Sequence, residues 1–174
     1  MTESKYIWMD GEFVDWHDAK VHVLSHTLHY GNGAIEGTKA YKTVDGRCAI
    51  FKLNEHTQRL LNSSKMTLMN VPFTVEELNK AQIELLQKNE LFDGAYIRPL
   101  VYLGYGVMGL YHKEAPVKVS VSAWEWGAYL GEEGLRKGVR VKISSFTRTP
   151  NTSGMGKAKA VANYLNSQMA KFEA

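Results

Sequence analysis

The chain predicts a mixed α/β fold of the α+β kind: hairpin strands first, then two helices, then strands again. Three observations carry that reading. Short β-rich runs bracket the dipeptides Asp10-Gly11 and Asp45-Gly46, both suited to a tight hairpin turn. Two segments between residues 54 and 89 place apolar side chains at helical spacing. Beyond them, Ala95 to Gly104 and Lys118 to Trp124 are again apolar and β-rich.

In chain order, Tyr6 to Met9 pairs with Phe13 to Trp16, and Thr38 to Thr43 with Cys48 to Lys52. Asn54 is placed to cap a helix running to about Met69, with Leu60, Leu61, Leu68 and Met69 available for burial. Thr74 and Glu77 form a capping box for a helix to about Asn89, whose Val75, Leu78, Ala81 and Leu85 mark the buried face. Pro99 points to a sheet edge or a bulge for the strand that holds it. The glycines at 127, 131, 134 and 138 mark a hinge. A small α/β domain is therefore expected over residues 1–130, a linker over 131–138 and a second domain from 139. In that second part Val139 to Ser145 reads as a strand, Phe146 to Gly156 as an irregular loop, and Ala158 onward as an Ala-rich helix. One strand and one helix cannot bury a core. Residues 139–174 are thus expected to be the truncated start of a larger domain.

Composition narrows the function classes. Hydrophobic residues make up 44% and charged residues 22%, the balance of a globular protein. The net charge of +3 comes from 21 basic and 18 acidic residues without a block of either sign, so neither nucleic acid nor an anionic membrane is an expected partner. The single cysteine, Cys48, suits a reducing compartment. The first residues are polar, no run is apolar enough to span a bilayer, and a cytoplasmic location is the default expectation.

Two motifs invite misreading. Gly104 to Gly109 matches G-x-G-x-x-G after a strand, but a dinucleotide site needs a helix to open at the third glycine, and Leu110 to Pro116 has no helical periodicity. A flexible loop is the better reading. His22, His26 and His29 are spaced as if to share a metal, yet no cysteine or carboxylate sits nearby to complete a ligand set. Local hydrogen bonding is the commoner fate of such histidines, and no metal is expected.

The segment from His22 to Tyr41, HVLSHTLHYGNGAIEGTKAY, is more specific. Further stretches follow in order: EHTQRL around Arg59, AYIRPL around Arg98, WEWGAYLG around Trp126, then RTPNT and KAVANYL around Lys159. Together they resemble the branched-chain amino-acid aminotransferases, class IV enzymes of fold type IV that depend on pyridoxal 5'-phosphate (PLP). The resemblance implies the small N-terminal domain of such an enzyme, followed by the first strand and helix of its larger PLP domain. It implies amino transfer between leucine, isoleucine or valine and 2-oxoglutarate (glutamate being the partner amino acid), and a homodimer or higher homo-oligomer.

By the same resemblance, Lys159 is the catalytic lysine, which condenses with the cofactor aldehyde and must be unprotonated to do so. A free lysine titrates at about 10.4, so burial or neighbouring positive charge has to favour the neutral amine. In the expected helix Lys159 sits in the first turn, where the dipole disfavours a cation, and Lys157 adds like charge. Ala158, Ala160 and Val161 are consistent with burial. From the local sequence alone, a solvated lysine on an Ala-rich helix is the simpler reading, and Lys157 is the nearest rival. Arg59 would bind the cofactor phosphate; a surface arginine is the alternative. Tyr164 would donate to the cofactor phenolate oxygen, although five positions along a helix do not set it over Lys159; a core tyrosine is the alternative.

The resemblance also implies a substrate pocket. Ile35, Trp126 and Tyr129 would line its aliphatic end, with Tyr30 reaching in from a second subunit. Gly37 and Tyr96 would lie against the substrate, Tyr96 at its carboxylate, and Arg98 would pair with the distal carboxylate of glutamate. Tyr96 and Arg98, two apart in a strand, share a face. Departures from the family pattern are Ile35 where many relatives carry an aromatic, Val161-Ala162 in place of paired glycines, and a loop shortened at Thr149-Pro150. The acid that pairs with the pyridine nitrogen and most of the phosphate cup are expected beyond residue 174. Two other readings stand beside this one: a D-amino-acid aminotransferase or aminodeoxychorismate lyase of the same fold, and a non-catalytic dimerising piece.

Overall fold

A computed structural model describes residues 2–127, 131–148, 150 and 156–174. Strands β1 (Tyr6–Met9) and β2 (Glu12–Asp15) are followed by a short helix α1 (His26–Tyr30), then β3 (Gly33–Ile35), β4 (Thr38–Lys42) and β5 (Cys48–Ile50). Helices α2 (Leu53–Met66) and α3 (Val75–Lys88) precede the long strands β6 (Ala95–Leu103) and β7 (Val117–Glu125). The chain continues through α4 (Gly131–Lys137) and ends in α5 (Tyr164–Glu173).

Among the described residues one antiparallel sheet runs in the order β2-β1-β7-β6-β4-β5, with β3 also pairing with β6. The first hairpin forms as expected: Asp10 and Gly11 both take positive φ, 49° and 107°, which lets the strands twist together across two residues. Ile97, Val101, Leu103, Val119, Val121 and Ala123 face one way and bury against Leu60, Leu78, Leu85 and Leu86 of the two helices. The opposite face carries Tyr96, Arg98, Leu100 and Tyr102, because strand residues alternate. Asn89, just past α3, accepts from the Lys5 and Tyr6 amides and donates to the Tyr6 carbonyl, tying the helix end to β1.

Five expectations need correction. Asn54 does not cap α2; the helix starts at Leu53 because Lys52 takes a left-handed turn (φ 54°) that redirects the chain. The helix stops at Met66, and Leu68 is exposed while Met69 is buried. Pro99 lies in a central strand rather than at an edge. Its carbonyl accepts from the Glu36 amide, and within a strand N and O face the same neighbour, so its missing N–H falls where β3 has ended and β4 has not begun. Residues 139–145 form no strand: no described strand pairs with them, and Val141 and Ile143 are almost fully exposed. The last helix begins at Tyr164, six residues later than expected, after an extended stretch and one 3-10 turn over Val161–Asn163.

The capping box on α3 forms in full: the Thr74 hydroxyl accepts from the Glu77 amide and the Glu77 carboxylate from the Thr74 amide. Thr74→Ala is expected to lower stability by about 1 kcal/mol, read as a lower midpoint in chemical denaturation with unchanged m-value.

Candidate active site

The site is organised by β3 and the two residues after it. One edge of β3 pairs with β6 and the other receives the chain around Lys159. The Ile35 amide donates to the Lys159 carbonyl at 3.0 Å, Ala34 bridges Ala160, and the Lys159 amide donates to the Ser63 hydroxyl of α2 at 3.0 Å. Lys159 is therefore held in an extended segment, and the helix-dipole contribution expected for it has no geometric basis. The same extension carries Tyr164 back over the lysine. Lys159 Nζ donates to the Tyr164 hydroxyl at 2.9 Å, which corrects the expectation that helical spacing would keep the two apart. Ala158 and Ala160 are buried on either side, as expected, while Val161 is only half-buried.

Lys159, Tyr164 and Arg59 line one cleft of about 620 Å³, with Arg148, Lys157, Asn163 and Ser167. It presents four cationic side chains, and none of the described residues lining it is acidic. Such a wall suits an anion.

Arg59 is bonded from behind. Its Nε and Nη2 both donate to the carboxylate of Glu36, Nη2 at 2.9 Å, in a two-pronged ion pair. Glu36 is 1% exposed. It also accepts from His56 Nδ1 at 2.9 Å and from the Gly37 amide at 3.2 Å. Burial alone would raise its pKa, but the bonds from Arg59, His56 and Gly37 outweigh that and hold it below the ordinary glutamate value. Glu36, His56 and Ser63 are not singled out by the sequence reading. A signal exists for Glu36: Ala34, Glu36, Thr38 and Ala40 alternate, so an acid occupies a slot that must face the helices.

On the open face of the sheet a second cluster forms. The Tyr96 ring meets the rings of Trp124 and Trp126, at 5.2 and 4.7 Å between centroids, and its hydroxyl accepts from Arg98 Nη2 at 2.9 Å. Lys39 Nζ donates to the Trp126 carbonyl. Among the described residues Arg98 Nε is buried and finds no acceptor. Gly37 faces Tyr96: a Cβ there would lie 2.0 Å from the tyrosine hydroxyl. Space, not backbone conformation, demands glycine, since no left-handed φ is involved. Ile35 shares this face and joins the two clusters through its bond to Lys159.

The remaining candidates lie elsewhere. The Tyr30 hydroxyl accepts from the Gly109 amide, away from both clusters, and Tyr129 falls outside the described residues. His29 Nε2 bonds the Val23 carbonyl and His22 Nδ1 accepts from the Leu24 amide, both local partners, whereas His26 Nε2 bonds the Gly109 carbonyl far away in sequence. The Gly104–Gly109 stretch is a loop tied to α1, with no helix opening at Gly109. Val161 and Ala162, unusual for the motif, fit because Gly33 and Gly31 face them; Val161 Cγ2 is 3.1 Å from where a Gly33 Cβ would sit.

Comparison with known proteins gives the family. The family model for amino-transferase class IV matches residues 33–174. A branched-chain-amino-acid aminotransferase of Pseudomonas aeruginosa is 47% identical over 168 residues, covering 97% of this chain and 54% of the relative. That of Escherichia coli K12 is 43% identical over 178 residues, covering 100% of this chain and 57% of the relative. Among solved structures, a T.th. branched-chain amino acid aminotransferase with pyridoxamine 5'-phosphate superposes with a TM-score of 0.92 at 46% identity, over 100% of this chain and 57% of that one. The chain belongs to the class IV aminotransferase family. It spans little more than half the length of the relatives it matches.

Two outcomes are expected. Gly37→Ala should destabilise the protein by about 1–3 kcal/mol through overpacking. In a Tyr96→Ala background that penalty should shrink to a few tenths, as a double-mutant cycle by denaturation reads directly. Glu36, with its pKa lowered on folding, contributes stability above its unfolded value near 4.5 and loses it as pH falls through the folded value. The stability gap between the parent and Glu36→Gln should therefore be full at pH 7 and narrow below about pH 4.

Proposed function

We propose that the protein containing this chain transfers amino groups between branched-chain L-amino acids and 2-oxoglutarate with the help of PLP. The observation that carries the proposal is the bond between the Lys159 amine and the Tyr164 hydroxyl inside a cleft lined by Arg59 and, among the described residues, by no acid. The donor set fits the cofactor: an amine for its aldehyde, a phenol for its ring oxygen, and a guanidinium for its phosphate dianion. PLP when bound supplies the aldehyde and an electron sink for the carbanion formed at the substrate α-carbon.

The chain's own residues then divide the work. Lys159, displaced by the substrate amine, would take the α-proton as general base and return it to the neighbouring carbon as general acid. Tyr164 keeps that amine within reach and would hold the phenolate end of the cofactor. Arg59 would anchor the phosphate.

On the open face, Ile35 and Trp126 would receive an aliphatic side chain, a role proposed for Tyr129 as well, and Gly37 leaves room for Tyr96 at the substrate carboxylate. Arg98 carries an unmet buried donor, which the distal carboxylate of glutamate would satisfy. Tyr30 would serve the site of a second subunit, which makes a homodimer or larger homo-oligomer part of the proposal. The small domain would end near residue 130, with 131–138 as a connection and 139–174 opening the larger domain. No helix among the described residues is long and apolar enough to cross a membrane, and a cytoplasmic location fits this reading.

In the full-length protein, Lys159→Ala should abolish the absorbance band of the lysine-linked cofactor; a persisting band would move the role to Lys157. A coupled assay with a panel of amino donors should show turnover of leucine, isoleucine and valine. Turnover of D-alanine without these three would overturn the substrate assignment. Tight, stoichiometric PLP binding by residues 1–174 alone would exclude a purely dimerising role for this piece.

A further inference from the structure

We propose that Glu36 is a positioning residue for cofactor phosphate: it clamps one edge of the Arg59 guanidinium so that the other edge meets the phosphate already oriented. The inference rests on the reading of Arg59 as the phosphate ligand.

The geometry is unlike an ordinary surface ion pair. Both ends of such a pair are solvated, and it holds neither side chain firmly. Here one end is immobile: the Glu36 carboxylate is 1% exposed, on the helix-facing rank of β3 and β4, and is fixed by His56 Nδ1 and the Gly37 amide. The other end is 53% exposed and lines the cleft that holds Lys159. A guanidinium has five N–H donors in a rigid plane. Glu36 takes Nε and one hydrogen of Nη2, which leaves the opposite edge for a second planar or tetrahedral anion. A buried carboxylate tolerated only with its partners in place thus serves as a fixed jaw.

Two effects compete. The negative charge of Glu36 opposes an approaching dianion, while its grip on Arg59 saves the rotamer freedom that a loose arginine would lose on binding. Positive charge is in surplus in this cleft, where Arg148 and Lys157 stand beside Lys159. Orientation is scarcer, so the positioning effect should win.

The test compares the full-length protein's dissociation constants for PLP and for pyridoxal, which lacks the phosphate, by spectral titration. Arg59→Ala should weaken PLP strongly and pyridoxal little. Glu36→Gln should weaken PLP roughly tenfold while pyridoxal stays within about twofold, and in an Arg59→Ala background it should add nothing further. If Arg59→Ala leaves the ratio of the two constants unchanged, the phosphate reading itself fails. If Arg59→Ala changes the ratio and Glu36→Gln does not, or Glu36→Gln tightens PLP or weakens both ligands alike, the positioning role is overturned. Should Glu36→Gln not fold, Arg59→Lys gives the answer, since it keeps the charge but cannot be held as a fork. It is expected to lose nearly as much PLP affinity as Arg59→Ala; affinity equal to the parent would sink the proposal.

Discussion

The interruption at Glu36-Gly37, between two short strands that share one long partner, is the constraint around which the site is built. β3 and β4 both pair with β6 in one register, and the chain passes from one to the other in two residues. Because successive side chains in extended backbone point to opposite faces, Glu36 is sent toward the helices and Gly37 toward the open face. One residue then recruits Arg59 and His56 from α2; the next leaves the space that Tyr96 fills. Pro99 stands opposite Glu36 in that register, so its missing N–H is what separates β3 from β4 in an otherwise continuous pairing.

β3 has a second role. A strand has two hydrogen-bonding edges, and the edge not used by β6 accepts the segment bearing Lys159. That docking is a backbone interaction, with the Ser63 hydroxyl holding the other side, so it sets the height of the lysine above the cleft without depending on its side chain. The two clusters, cationic on one side and aromatic with Arg98 on the other, are thereby joined through three residues of main chain. The proton-transfer role proposed for Lys159 would need this kind of backbone support, because small displacements of a proton acceptor are costly.

Much of the fold is legible in the sequence because its signals are local. Turn dipeptides, the Thr74–Glu77 box and the periodicities of α3 and β7 are each decided by residues within a few positions of one another. The failures are non-local. Lys52 takes a left-handed turn that no capping pattern announces, Pro99 is excused by strands far away in sequence, and residues 139–145 carry a strand pattern with no described strand beside them. Lys159 reads as helical from its alanine-rich surroundings, but β3 offers its backbone better partners. The resemblance identifies Lys159, Tyr164, Arg59, Tyr96 and Arg98 as residue types in order, which is a statement about chemistry rather than placement.

By itself the sequence determined most of the element types before residue 126, the family pattern and the chemical inventory of the site: an amine, a phenol, guanidinium groups and an aromatic set. Tertiary structure decided which of these meet. The Lys159–Tyr164 bond requires the chain between them to be extended and then tightly turned, and the Glu36–Arg59–His56 cluster requires a strand and a helix to pack face to face. Spacing along a chain reports only on neighbours within one element, whereas a contact across elements depends on which edge is open and which face is covered, and those are settled only when the sheet and its helices assemble.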